Sequence, residues 1–164
     1  MADEYDTLIL QAYCGELLGD ALFGAFASQL EGQRREKVEL LQQIEQRTAA
    51  MLEPLVDPAL LASVDQDAER AKGSALLAGG ALDWDTFVKS LHDALPGFLT
   101  DFVRARELAT DPEHPALAAL VAHEQTIAAF TDLELSGHGD VTQAMLERYL
   151  VSAPWPPFRT QGPS

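Results

Sequence analysis

Residues 9–30 read ILQAYCGELLGDALFGAFASQL, with apolar or small side chains recurring at alternating intervals of three and four. This spacing places one stripe along a single face of an α-helix. The stripe consists of Ile9, Ala12, Glu16, Gly19, Phe23, Phe26 and Leu30. A second stretch, from about Gln33 to Glu53, has the same spacing. Because the connection between the two is very short, we expect them to pack as an antiparallel helical hairpin.

The rest of the chain also has helical periodicity, and β-strand signals are nearly absent. Asp57-Pro58 begins a helical stretch to about Lys72, and Pro96-Gly97 is expected to kink or split the helix that follows Asp83. The predicted later helices span residues 84–108, 116–136 and 140–151. The fold class is therefore predicted to be all-α.

Composition limits the classes of partner. The chain has 164 residues, enough for one domain, and 11 Lys plus Arg against 26 Asp plus Glu give a net charge of −15. Such a surface repels phosphate backbones and anionic lipids, so neither nucleic acid nor a membrane is expected as a partner. The single cysteine, Cys14, cannot form an internal disulfide, and MADEYDT does not resemble a secretory signal. We expect a soluble, cytoplasmic protein.

Three glutamates occupy positions where an apolar residue is expected. Glu16 lies within the first stripe, Glu45 falls between Leu41 and Thr48, and Glu124 falls between Leu120 and Ile127. A bare buried carboxylate costs several kcal/mol, so such residues need a partner, a hydrogen bond or a metal ion. They are the strongest candidate site residues in the chain.

The local sequences around these glutamates resemble one known superfamily. Residues 15–23, GELLGDALF, and 123–130, HEQTIAAF, are similar to ligand helices of the ferritin-like, di-iron-carboxylate helical bundles. The resemblance implies a ferritin-like four-helix bundle over residues 1–152, with additional helices from about 57 to 110 inserted between its two hairpins. Residues 153–164 would form a Pro-rich C-terminal tail.

The same resemblance implies a degraded metal site. Where the superfamily has Glu-x-x-His, this chain has Glu45-Gln46-Arg47-Thr48, and the last helix has Glu147-Arg148-Tyr149-Leu150. Both expected histidines are thus missing. The remaining candidate metal ligands are Glu16, Glu45 and Glu124, with His123 beside them, and the candidate ions are iron and manganese. Since neighbouring helix residues point about 100° apart, His123 is expected at the edge of the glutamate stripe, mainly in a structural role.

Three functions follow from this site. The first is a non-catalytic bundle that binds a ligand or serves as a partner subunit, as a homodimer or with another protein. The second is an iron- or manganese-dependent oxidoreductase or oxygenase that uses the reduced carboxylate site. The third is a metal-free small-molecule pocket in the bundle core, lined by Phe23, Phe26, Leu41, Ile127 and Phe130.

A purely structural role for the glutamates also stays open. In that case they would accept hydrogen bonds inside the core and fix the register of the helices. The candidate donors are Tyr13, Gln42, Thr48, Thr131, Tyr149 or an arginine.

Overall fold

A computed structural model describes residues 3–153 and 155, and all regular secondary structure in that part of the chain is helical. The α-helices are Glu4–Ala27 (α1), Gly32–Leu52 (α2), Pro58–Leu61 (α3), Gln66–Ala75 (α4), Trp84–Leu108 (α5), Pro115–Leu135 (α6) and Thr142–Ser152 (α7). The predicted all-α class is confirmed. Most of the predicted C-terminal tail, Pro154 and residues 156–164, lies outside the described residues.

Aspartate caps and one glycine set several of the helix ends. The Asp3 and Asp83 carboxylates accept hydrogen bonds from the backbone N–H groups of Asp6 and Thr86, three residues into α1 and α5. Gly32 has φ +59°, a left-handed conformation that favours glycine, and it begins α2 directly after the turn.

One local prediction is wrong, and a second is narrowed by the structure. The expected single helix from Asp57 to Lys72 is two helices, because Asp57 caps α3 and Asp65 separately caps α4. Of the kink or split expected at Pro96, the split does not occur in the described helix α5, which runs continuously through that residue. Proline removes its own N–H and crowds the carbonyl of residue i−4, but α5 packs against α6, which supports the helix.

The long helices form two pairs. α1 packs on α2, α5 packs on α6, and α2 contacts both α6 and α7. α4 packs on the outer side of α1. α5 falls within the segment predicted as an insertion, yet it is the longest helix of the described chain and forms the second pair with α6. No helix in residues 3–153 is both long and apolar enough to cross a bilayer.

A polar layer separates two apolar cores inside the bundle. One core contains Phe26 and Phe130, and the other contains Ile9, Leu52 and Leu117. Along each of α1, α2 and α6, one core ends and the other begins at the positions of the glutamates predicted as site residues. The fold therefore brings these three interruptions of the apolar stripes to one level.

Candidate metal centre and adjoining cavity

Four buried side chains from three helices meet at this polar layer. α1 supplies Glu16, α2 supplies Glu45, and α6 supplies His123 and Glu124, with exposed fractions of 2%, 6%, 0% and 6%. His123 Nε2 lies 3.4 Å from Glu16 Oε1, 3.9 Å from Glu45 Oε1 and 3.6 Å from Glu124 Oε1. We call these four residues the carboxylate–histidine cluster. All four candidate metal ligands are thus brought together.

His123 faces the centre of the cluster, which corrects the expectation that it would stand at the edge. Its Nδ1 lies 2.8 Å from the carbonyl oxygen of Leu120, so Nδ1–H donates there and Nε2 is left with a lone pair. Burial lowers the pKa of His123 to about 4, which keeps the ring neutral at neutral pH. Nε2 has no hydrogen-bond partner in the described part of the chain.

Two of the carboxyl groups also have an oxygen without a hydrogen-bond partner. Glu16 Oε2 and Glu124 Oε2 are buried without a hydrogen bond from any described residue. Burial, together with the charge of Glu45, raises the pKa of Glu124 to about 8. Burial also raises the pKa of Glu45 to about 7, and burial with the charge of Glu45 places the pKa of Glu16 well above its ordinary value. The cluster therefore holds protons or needs a cation.

Four of the hydrogen-bond donors expected for a purely structural role are occupied elsewhere. Tyr13 donates to Glu53, Thr48 to the carbonyl of Ile44, Thr131 to the carbonyl of Ala128, and Gln42 to Asp20. The Tyr149 hydroxyl is buried and has no partner among the residues described. Internal hydrogen bonding from these donors thus does not account for the glutamates.

The donor set fits one divalent cation. Glu16, Glu45 and His123 each offer a ligand atom, and these atoms lie within 4.8 Å of one another. Imidazole nitrogen with carboxylate oxygens suits iron, manganese and zinc. The bond from His123 Nδ1 to a backbone carbonyl is the outer-shell contact that fixes the ring orientation of metal-binding histidines.

Gly19 leaves the space that Glu45 occupies. A Cβ atom at position 19 would lie 2.5 Å from Glu45 Oε2 and 2.8 Å from the carboxyl carbon. This close approach explains a glycine in the interior of α1, where glycine costs about 1 kcal/mol relative to alanine. Gly19 thus provides the space that the Glu45 carboxyl group needs.

A cavity of about 570 Å³ adjoins the cluster. Glu16, Glu45 and Glu124 are among its lining residues. Leucine and phenylalanine side chains from α1, α5 and residues 76–82 form most of its wall. Its position corrects the predicted pocket: Phe23 and Ile127 line the cavity, whereas Phe26, Leu41 and Phe130 are fully buried in the apolar core.

No protein-family model, curated protein or solved structure matches this chain. The chemistry of the cluster and the shape of the cavity are therefore the grounds for a function.

Proposed function

We propose that this chain is a ferritin-like helical bundle that holds one iron or manganese ion between Glu16, Glu45, Glu124 and His123. We further propose that it acts as an oxidoreductase on a small molecule bound in the adjoining cavity. One observation carries the proposal: the unpartnered Nε2 lone pair of a fully buried, neutral histidine faces three buried carboxyl groups.

The energetics of burial support an ion at this position. A buried polar group without a hydrogen bond costs roughly 1–3 kcal/mol, and three such atoms lie in the cluster. A cation would satisfy the His123 lone pair and the free carboxylate oxygens together. Two ionised carboxylates balance a divalent charge, so the third carboxyl can keep its proton.

The residues of the chain would divide the chemistry. Iron or manganese, when bound, supplies a Lewis acid and a redox centre at open coordination positions. His123 would bind through Nε2 in an orientation held by Leu120. Glu16 and Glu45 would supply the charge-balancing oxygens. Glu124 also lines the cavity, where its carboxyl group could form a hydrogen bond with a bound molecule.

A second candidate function is a metal-free bundle that binds a small molecule without catalysis, alone or as a partner subunit. The observation in its favour is that the raised pKa values of Glu45 and Glu124, about 7 and about 8, allow protons to neutralise the cluster. The cavity would then be the functional feature, with the carboxyl groups orienting a polar atom of its occupant.

Elemental analysis separates the two candidates. The wild-type chain is expressed with added iron and manganese, alongside Glu45→Gln, which keeps the side-chain shape. The control is Glu53→Gln, an exposed glutamate next to α2 and outside the cluster. We expect about one ion per chain in the wild type and in the control, with loss in Glu45→Gln. Wild-type protein without iron or manganese would overturn the metal proposal and leave the metal-free candidate.

A further inference from the structure

We infer that the cavity takes an uncharged, largely hydrocarbon small molecule, and that Gly15 is the residue that makes room for it. The inference rests on the proposed function in one respect, the assignment of the glutamate charges to an ion. The volume, about 570 Å³, lies within the roughly 300–1,000 Å³ typical of small-molecule pockets.

Gly15 has no explanation within the protein itself. It lies in the interior of the 24-residue helix α1, where glycine costs about 1 kcal/mol relative to alanine. Its φ is not in the left-handed region, and a Cβ atom built on it meets nothing within 4 Å. Neither the backbone conformation nor a close neighbour requires glycine, in contrast to Gly19 four residues later.

Gly15 is exposed, and the open space beside it adjoins the cavity. Gly15 is one of the lining residues, together with Leu18, Leu22 and Phe98. A larger side chain at position 15 would thus project into the volume that a ligand would occupy. The glycine keeps this volume open at a cost to helix stability, which is the pattern expected where a ligand approaches the backbone closely.

The charges of the lining determine the class of ligand. None of the described lining residues is a lysine, arginine or histidine, so an anion would find no counter-charge. The polar lining residues outside the cluster are Gln11, Ser90 and Asp101. Because the proposed ion takes the carboxylate charges of the cluster, and Asp101 is exposed to solvent, a cationic ligand would find no free buried counter-charge. An uncharged molecule remains, with room for one polar atom near Glu124.

Apolar side chains also mark the route from solvent. Leu76 and Phe98 both line the cavity and are 64% and 48% exposed, so two large apolar side chains lie where the cavity meets solvent. At its inner end the cavity reaches Glu16, which is only 2% exposed. A small molecule in this cavity could therefore extend from the exposed apolar side chains to the polar layer between the two cores.

Fluorescence titration with matched probes tests the inference. N-phenylnaphthylamine is an uncharged aromatic probe, and anilinonaphthalene sulfonate has the same ring skeleton with a negative charge. Both are titrated into the full chain with a chelator present and again after iron loading. We expect saturable binding of about one uncharged probe per chain, and at least ~10-fold weaker binding of the sulfonate, or ~1.4 kcal/mol.

Two variants connect the binding to the cavity. Gly15→Phe fills the open space and should weaken probe binding at least ~10-fold. Gly97→Phe is the matched control, because Gly97 also lies in a helix with nothing within 4 Å of its Cβ position but does not line the cavity. Thermal unfolding of each variant verifies that it is folded, and Gly15→Leu replaces a Gly15→Phe chain that fails this check.

The outcomes separate this inference from the metal proposal. Absence of saturable binding, equal binding of both probes, or equal loss in the two phenylalanine variants overturns the cavity inference, even if the chain takes up iron. If the chain takes up neither iron nor manganese but binds the uncharged probe, and only Gly15→Phe loses that binding, the cavity inference is supported and the metal proposal fails.

Discussion

Two buried carboxylate sites in this molecule differ in how completely they are satisfied. In the carboxylate–histidine cluster, the nitrogen of His123 and oxygens of two glutamates have no partner in residues 3–153. Near the C-terminal end of α6, Glu134 Oε1 accepts hydrogen bonds from Lys37 Nζ and Thr142 Oγ1, each at 2.6 Å. Glu134 Oε2 accepts one from Trp84 Nε1 at 3.2 Å. We call these four residues the ion-pair network.

The pKa values follow this difference. Burial alone would raise the pKa of Glu134, but the hydrogen bonds from Lys37 and Thr142 outweigh it, and the pKa is lowered. In the carboxylate–histidine cluster, burial outweighs the one offsetting contact, a hydrogen bond from Glu16 that lowers the pKa of Glu45, and the pKa values of the three glutamates are raised. The ion-pair network, with residues from α2, α5, α6 and α7, is complete and stabilises the fold. The cluster is incomplete in a way that a ligand can complete.

The largest expected effect follows from breaking the ion-pair network. Lys37→Met leaves the Glu134 carboxylate buried without its cation, and should lower the free energy of unfolding by about 3–5 kcal/mol. Urea denaturation measures the change. The double variant Lys37→Met/Glu134→Leu removes both charges and should recover more than half of the loss. A single-variant loss below about 1 kcal/mol would contradict the assigned stabilising role.

A pH titration of stability should distinguish the cluster from the network. In the metal-free chain, the folded-state pKa values of Glu45 and Glu124, about 7 and about 8, lie above the unfolded value of 4.5. The folded state then binds more protons, so stability should fall by about 2 kcal/mol as pH rises from about 6.5 to 8. The pKa of His123 is about 4 in the folded chain and 6.5 in the unfolded chain, so His123 lowers the free energy of unfolding mainly as pH falls below 6.5.

The measurement is urea denaturation across this pH range in the presence of a chelator. The variant Glu45→Gln/Glu124→Gln should show a shallower profile, because Glu16 is then the one carboxyl group of the cluster that still titrates. A flat wild-type profile from pH 6.5 to 8 would contradict this prediction, because it would mean that the carboxyl groups are already ionised in the folded chain.

Removing one cluster carboxyl should stabilise the metal-free chain. Glu124→Leu replaces a poorly satisfied buried group with an apolar one, and we expect a gain of about 1–2 kcal/mol in chelator. Glu107→Leu, an exposed change on α5, is the control and should shift stability by less than about 0.5 kcal/mol. A loss of stability in Glu124→Leu would show that this carboxyl contributes to the fold.

The smallest effect compares two glycines of α1. Gly15→Ala adds a methyl group in open space and should stabilise the chain by about 0.5–1 kcal/mol. Gly19→Ala gains the same helix propensity but collides with the Glu45 carboxyl group, so it should gain less stability and bind iron less tightly. Thermal unfolding and metal titration of both variants provide the comparison. Equal stability and equal iron affinity in the two variants would show that the Glu45 side chain can move away from position 19 without loss of either property.

Much of the fold could be predicted from periodicity. The last long helix, predicted over Ala116 to Ser136, spans Pro115–Leu135, and the second helix also agrees within one residue. The three glutamates could be identified because each interrupts an apolar stripe, and stripes face one another in any helical bundle. That signal depends only on local spacing.

The remaining parts of the site depend on tertiary packing. His123 and Glu124 are adjacent, so helical spacing alone assigns them to different faces. The ring of His123 reaches the cluster because its Nδ1–H is fixed by the carbonyl of Leu120. The cavity was missed because its wall includes exposed positions of α5 and of residues 76–82. The exposed positions of α5 and of residues 76–82 form one surface only when α5 lies beside α1.

The order of the cluster residues along the chain has a consequence for folding rates. Glu16 and Glu45 lie on one hairpin, whereas His123 and Glu124 are on α6, far later in the sequence. All four meet only after α6 has docked on that hairpin, since long-range contacts form late when loop closure is costly. Contacts absent from the transition state affect unfolding rather than folding. An ion bound by this cluster is therefore expected to slow unfolding and leave the refolding rate unchanged.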